Sequence, residues 1–452
     1  MAIIFFLPAH AQLRLPAVIS SGMVLQQQDS VQLWGWANPG QQVHVKCSWN
    51  DRNDSVQTSN GAIWKIKVRT PAAGGPYTVT ITTDTAIVLS DVLIGEVWVC
   101  SGQSNMELCN SWGEKDVAAE LDNPSNAGIR LFNVPKTTAA FPQDNVTARW
   151  TVCDSANLKK FSSAGYFFGK KLHESLKVPI GLIEASWGGT PAETWTPSEK
   201  VQSDTVLAAA AAKLKSYPWW PDMAGAAFNG MLAPLTAFRI AGCIWYQGEA
   251  NTGNHSTYTK LLTTMIDAWR ESWKKELPFY YVQIAPFAYG DSLEGALLQE
   301  AQTRAMAHPK VGMAVITDLI DSVTDIHPSH KKQVGYRLAN WALAQTYNQT
   351  GISYHSPEFD SSQKKGSKLV LTFKYAPDGL TSTGKTVAGF YLSDSGNKWY
   401  PAAATIQGNR ITVNSRQVPA PAYIRYGFSN TLVGNVFSKG GLPLTPFRTD
   451  SF

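Results

Sequence analysis

Four apolar runs in this chain each stop at a short turn rich in glycine and polar side chains, and this repeated pattern constrains the fold more than any bulk property. The first is Gly-Glu-Val-Trp-Val-Cys-Ser-Gly-Gln-Ser-Asn-Met (95–106), where Val97, Trp98 and Val99 give way to Ser101, Gly102, Gln103, Ser104 and Asn105. The second, Val-Pro-Ile-Gly-Leu-Ile-Glu-Ala-Ser-Trp-Gly-Gly-Thr (178–190), ends in Gly188 and Gly189. The third, Ile-Ala-Gly-Cys-Ile-Trp-Tyr-Gln-Gly-Glu-Ala-Asn (240–251), delivers Gln247, Glu249 and Asn251. The fourth follows an apolar strand at 311–316 and carries Asp325 and His327 ahead of an amphipathic helix over 331–344. Buried strands that end this way place the next side chain at the carboxyl edge of a sheet, where open α/β sheets bind ligands.

The residue types at these ends suit one chemistry. A serine becomes a nucleophile when a base reaches its hydroxyl and backbone donors hold the developing oxyanion. Ser104 offers the hydroxyl and His327 the base. Paired glycines let amide N–H groups approach a substrate oxygen closely. A glutamine donates without adding charge, and a carboxylate orients an imidazole. Each motif alone has a plainer reading: a Ser-Asn helix cap, a Gly-Gly turn, polar turn residues, a loop histidine before proline. Their joint occurrence at successive strand ends favours catalysis.

Gly-Gln-Ser-Asn-Met (102–106), Gly-Gly-Thr (188–190), Trp-Tyr-Gln-Gly-Glu-Ala-Asn (245–251) and Asp-Ile-His-Pro (325–328) together resemble the sialate O-acetylesterase family of SGNH hydrolases. Phe-Asn-Gly-Met-Leu-Ala-Pro (228–234) and Pro-Phe-Arg-Thr-Asp (446–450) resemble further landmarks of that family, so the similarity spans nearly the whole chain after the first 11 residues. The resemblance implies a serine esterase that removes O-acetyl groups from sugars, first of all sialic acid, with acetylated xylan or xyloglucan as the alternative. It implies Ser104 as nucleophile and His327 as base. The amides of Ser104 and Gly189, with the Gln247 side chain, would form the oxyanion hole. Gln103, Asn105, Trp187, Gly188 and Asn251 are the expected substrate contacts.

In one respect the chain departs from the superfamily pattern. Many SGNH enzymes carry the triad aspartate three residues before the histidine, where this chain has Thr324. Asp325 lies two residues before His327, and Glu249 is its rival. A Ser–His dyad with the ring held by a backbone carbonyl is the third arrangement. Glu249 is slightly favoured.

Bulk properties exclude several classes. Net charge is +5 from 39 basic and 34 acidic residues, with no basic run of the kind a nucleic-acid binder concentrates on one face. No apolar run reaches the 18 residues of a membrane-spanning helix. Cys47, Cys100, Cys109, Cys153 and Cys243 have neither metal nor redox spacing, so no metal or cofactor is expected. A Cys109–Cys153 bridge is left open. The start of the chain has an apolar run and an Ala-x-Ala site ending at Ala11, the tail of a truncated signal peptide, which suggests a secreted or periplasmic protein. The sequence leaves the oligomeric state unset.

Short alternating segments over residues 12–90 predict a β-sandwich-like domain. Residues 91–354 alternate strands with helices near 162–176, 258–275 and 297–307, which predicts a three-layer parallel α/β esterase domain. Residues 355–452 return to a β-rich pattern. The long connections 108–154 and 197–227 are of the kind that builds substrate sites. The second contains Tyr-Pro-Trp-Trp-Pro (217–221), which with Trp112, Trp187 and Trp195 offers rings to a sugar; for each ring singly, packing is the plainer role. A sugar-binding module would explain the rings but not the strand-end serine and histidine. A glycosidase would use Glu249 and Asp325 as its carboxylate pair and leave Ser104 without a role.

Overall fold

In the computed structural model, which describes residues 12–122, 126–290 and 293–450, a parallel sheet forms the centre of the molecule. Its strands are β1 (Ala86–Gly102), β2 (Asn126–Asn133), β3 (Trp150–Cys153), β4 (Ile180–Ser186), β5 (Gly242–Tyr246), β6 (Phe279–Val282) and β7 (Val311–Ala314). They lie in the order β7-β6-β5-β1-β4-β2-β3, and only β3 runs antiparallel to its neighbour. After β1 the chain lays down β2 and the edge strand β3, returns inward to place β4 beside β1, and then crosses to the other side at β5. The strand order therefore reverses at β1, and the crevice at the carboxyl end of β1 is the expected ligand site.

Both faces of this sheet are covered, as an all-parallel core requires. Val97 and Val99 of β1 pack into the cluster that holds Leu261, Leu262, Met265, Ile266 and Trp269 of the helix α3 (His255–Trp273). The alternating residues Trp98 and Cys100 point the other way, to Phe167, Phe168 and Leu172 of α2 (Ser163–Leu176) and Val334 and Leu338 of α5 (Lys331–Gln345). The remaining named helices are α1 (Ser104–Glu107) and α4 (Glu294–Ala305). The periodicities seen in the sequence account for α2 to α5 within a few residues at each end.

The anticipated boundary at residue 90 falls inside a single strand. β1 pairs with Gly74–Thr82 of the N-terminal β region and then continues as the central strand of the parallel sheet. Inward residues of that region, among them Val31, Leu33, Val43, Val45, Trp64 and Ile81, join one core with Val97 and Val99. The C-terminal antiparallel strands have a core of their own around Leu371, Phe373, Ile411, Val413 and Ile424. Arg448 ties them to α4 through two bonds of 3.0 Å to Glu300. All five cysteines are free and buried, so the Cys109–Cys153 bridge left open by the sequence is not formed. The expected leader, residues 1–11, lies outside the described residues. No helix among the described residues is long and apolar enough to cross a membrane.

Candidate active site

Strand register brings three of the four motifs to one level. Gly102 at the end of β1 stands opposite Ser186 of β4 on one side and Tyr246 of β5 on the other. The chain leaves β1 through Gly102, whose φ of 142° and close approach to Tyr246 exclude a side chain: a Cβ there would lie 2.2 Å from the Tyr246 carbonyl oxygen. That turn lifts Ser104 to the first position of α1, a short helix whose opening amides have no partner inside it.

His327 arrives from the loop after β7. Its Nε2 lies 2.9 Å from Ser104 Oγ, the hydrogen bond a general base needs. Burial first, then the ammonium of Lys331, holds its imidazole below the usual range against an opposing pull from Asp325, so the ring is neutral and able to accept a proton near pH 7. Ser104 and His327 line one cavity of about 710 Å³ together with Gln103, Gly188, Gly189 and Glu249. Among the described residues, the amides of Ser104 and Gly189 donate to no protein group. Gly188 stands over the nucleophile: a Cβ there would lie 3.3 Å from Ser104 Cβ. Its own amide is held by Glu107 Oε2 at 2.6 Å.

Several expected substrate contacts turn out to brace the site from behind. Gln247 is fully buried, and both of its amide hydrogens are committed: Nε2 donates to Thr190 O at 3.2 Å and to Asn251 Oδ1 at 2.7 Å. An amide nitrogen has two hydrogens to give, so Gln247 does not serve an oxyanion hole in this arrangement. Asn251 is equally occupied, accepting from Ala192 N and Gln247 and donating to Glu193 Oε2 at 2.8 Å. These bonds stitch the turn after β5 to the Gly188-Gly189 loop after β4. Gln103 lines the cavity, and its Oε1 accepts from the Gly248 and Ala250 amides, both at 3.3 Å. Trp187 gives its indole N–H to Trp219 O, which anchors the loop carrying the exposed aromatic rings. Trp195 is buried in the core, donating to Thr190 Oγ1.

Asn105 is also a bracing residue and not a substrate contact, because it is buried with both polar atoms of its side chain engaged. Its Nδ2 donates to Glu249 Oε1 at 2.6 Å and to Ile326 O at 2.9 Å, while its Oδ1 accepts from Lys331 Nζ at 2.6 Å. One side chain thus fastens the nucleophile turn to the Glu249 turn and to the carbonyl just ahead of His327. Lys331 opens α5 fully buried, its Nζ 5.0 Å from the Tyr246 ring, and burial pulls its ammonium down to about 8. Burial pushes Glu249 up, against its bond from Asn105 and the charge of Lys331, and its Oε2 has no partner among the described residues. Asp325 folds onto its own loop, accepting from the His327 backbone N–H at 2.8 Å. Among the described residues no carboxylate bonds to the ring Nδ1 of His327, so neither rival for triad acid occupies that place. The residues missed from the sequence are Lys331 and Glu107. A lysine placed four residues after His327, at the start of a helix, resembles an ordinary solvated charge until the packing is known.

Comparison with known proteins bears on this site. Residues 94–344 match the family model described as carbohydrate esterase, sialic acid-specific acetylesterase. The chain belongs to that family. Sialate O-acetylesterase of Homo sapiens is 28% identical over 447 residues, covering 88% of this chain and 84% of its own. The enzyme of that name from Mus musculus is 27% identical over 455 residues, covering 86% and 84%. Among solved structures, a carbohydrate acetylesterase from Xanthomonas citri superposes with a TM-score of 0.89 at 34% identity, covering 98% of this chain and 100% of that one. The family makes this chain a carboxylic ester hydrolase acting on O-acetyl groups of sugars. The matched region holds the carboxyl-terminal half of β1, with β4, β5 and the His327 loop, the parts that build the cavity.

Proposed function

We propose that this esterase works through a covalent acetyl-enzyme on Ser104. His327 Nε2 takes the hydroxyl proton as Oγ attacks the acetyl carbonyl carbon. The unpartnered amides of Ser104 and Gly189 receive the oxyanion of the tetrahedral intermediate. Collapse breaks the bond to the sugar oxygen, which leaves with the proton from His327. Water, giving its proton to His327, then attacks the acetyl-enzyme, and acetate departs as Ser104 regains its proton. The observation that carries this reading is the 2.9 Å contact of His327 Nε2 with Ser104 Oγ inside a cavity lined by two glycines.

His327 and Ser104 act in this reading as a dyad, with the carboxylates as positioning residues. Glu249 works through Asn105 on the Ile326 carbonyl, and Asp325 through the His327 N–H. Family membership supports O-acetylated sialic acid as substrate. A second reading, an acetylated polysaccharide such as xylan, is favoured by the aromatic rings at the cavity mouth. Acetate release from a panel of acetylated sialosides and xylo-oligosaccharides separates the two. The mechanism is tested by Ser104→Ala, which should lower kcat on 4-nitrophenyl acetate by about 10³-fold or more while the folded state persists. Retention of most of the activity would remove Ser104 from the mechanism.

A further inference from the structure

The cavity of about 710 Å³ is far larger than an acetyl group, and part of its wall is formed by the rings of Tyr217 and Trp220. Tyr217, Pro218, Trp219 and Trp220 form a tight turn closed by a bridge between Tyr217 and Trp220. Pro218 sits at the position where a proline ring sets the turn's backbone in advance. The three rings lie 4.7 to 5.8 Å apart by centroid, a self-supporting aromatic cluster. Trp219 is nevertheless 62% exposed and Tyr217 40%. The turn is fastened to the catalytic loop twice. Trp187 donates its indole N–H to Trp219 O at 3.2 Å. Trp220 lies against Gly189, where an added Cβ would come within 2.2 Å of the indole. Tyr217 and Trp220 line the same cavity as Ser104 and His327.

Exposed rings of this size lose free energy to water, and a fixed turn holds them ready without an ordering cost at binding. The matching ligand is a flat face of C–H groups, whose slight positive charge complements the negative face of an aromatic ring. A β-linked pyranose offers such a face. A carboxylate laid on these rings would be desolvated without a partner. We infer that the Tyr217–Trp220 turn is a glycan-chain subsite, taking a neutral pyranose next to the acetylated residue, so that the enzyme acts on oligosaccharides in preference to single sugars. This rests on the esterase reading above and adds to it the class of substrate.

The test is chain-length dependence in the full-length enzyme. kcat/KM for acetate release is measured on acetylated xylotetraose and on acetylated methyl xyloside, and 4-nitrophenyl acetate reports the chemistry separately. The wild type should favour the tetramer by about tenfold or more, on the order of one ring face covered per aromatic side chain. Tyr217→Ala should remove most of that preference, and Trp219→Ala, whose ring packs on Tyr217 and Trp220 outside the cavity lining, a smaller part of it. A wild type indifferent to chain length, or variants that keep the preference, overturns the subsite. Equal kcat/KM on a free O-acetyl sialic acid and on the same residue linked to galactose, with neither xylose compound hydrolysed, also overturns it, passing specificity to the cavity lysines Lys213 and Lys215. Failure of the esterase reading looks different: 4-nitrophenyl acetate would then be hydrolysed equally by wild type and Ser104→Ala.

Discussion

Asn105→Ala is the perturbation that most directly separates a bracing role from a substrate contact. The side chain makes two buried bonds, to Glu249 Oε1 and Lys331 Nζ, and a partly buried one to Ile326 O. Removing it strips an acceptor from a buried ammonium and a donor from a buried carboxylate whose second oxygen is already without a partner. Breaking a buried charged network by deleting one member costs about 3–5 kcal/mol. At about 2–4 °C per kcal/mol for mid-sized domains, Tm should fall by about 6–20 °C. The Ile326 carbonyl is also released, one residue before the base. A displacement of the ring by about 1 Å costs on the order of 10²-fold in rate. On 4-nitrophenyl acetate, kcat should therefore fall by about that factor with KM little changed. Asn105→Asp is the control: it keeps the volume and the acceptor for Lys331 but loses the donor to Ile326, so kcat should fall there too. Thermal denaturation and steady-state kinetics read both effects. A Tm within about 2 °C of wild type, with the loss confined to KM, would refute the reasoning and return Asn105 to the substrate.

Lys331→Met deletes the cation of the same buried network and leaves Asn105 Oδ1 without its donor, so Tm should fall by an amount similar to that of Asn105→Ala. The ammonium disfavours imidazolium formation, so without it His327 stays protonated to higher pH and the acid limb of the kcat/KM profile should move upward; an unmoved limb would mean the charge is not felt at the ring. Glu249→Gln and Asp325→Asn delete charge but keep shape: we expect a kcat loss of about 10- to 100-fold for Glu249→Gln and a smaller one for Asp325→Asn, whereas about 10⁴-fold for either would mark a direct triad acid and exclude the dyad. Dialysis against a strong chelator should leave the rate unchanged, because the proposed steps use the Ser104 hydroxyl, the His327 imidazole and backbone amides alone; loss of activity restored by zinc would contradict this.

What the sequence disclosed of this molecule followed from short-range rules. An apolar run ending at Gly102, Gly188-Gly189 or Gly248 states its own strand and its own exit, and α3 displays its buried face at three- and four-residue spacing. Ser104 could be placed by the same rule, at the exit of β1, whereas His327 lies in the long loop after β7 and its 2.9 Å approach to Ser104 Oγ depends on the tertiary fold. The N-terminal boundary was not legible because β1 serves two sheets, and nothing local marks where one partner strand is exchanged for another.

Roles within the site were harder to read than its membership, and the reason is a matter of counting hydrogens. Gln247, Asn251 and Asn105 are polar residues on active-site turns, and sequence position alone treats each as a ligand for substrate. Whether an amide is available depends on what else is within reach, and in this fold Thr190 O and Glu193 Oε2 from one loop, Glu249 Oε1 from a second and Ile326 O from a third claim those donors. Buried polar groups go unpaired only at a cost of about 1–3 kcal/mol each. Turns with this many polar side chains and this little solvent therefore satisfy one another first. In the proposed mechanism the groups left for substrate are the Ser104 amide at the start of a helix and the Gly189 amide in a left-handed turn (φ 81°), neither of which donates to a protein group among the described residues. Neither depends on its own side chain, which is why an oxyanion hole built from backbone is anticipated from a serine and a glycine pair more reliably than one built from a glutamine.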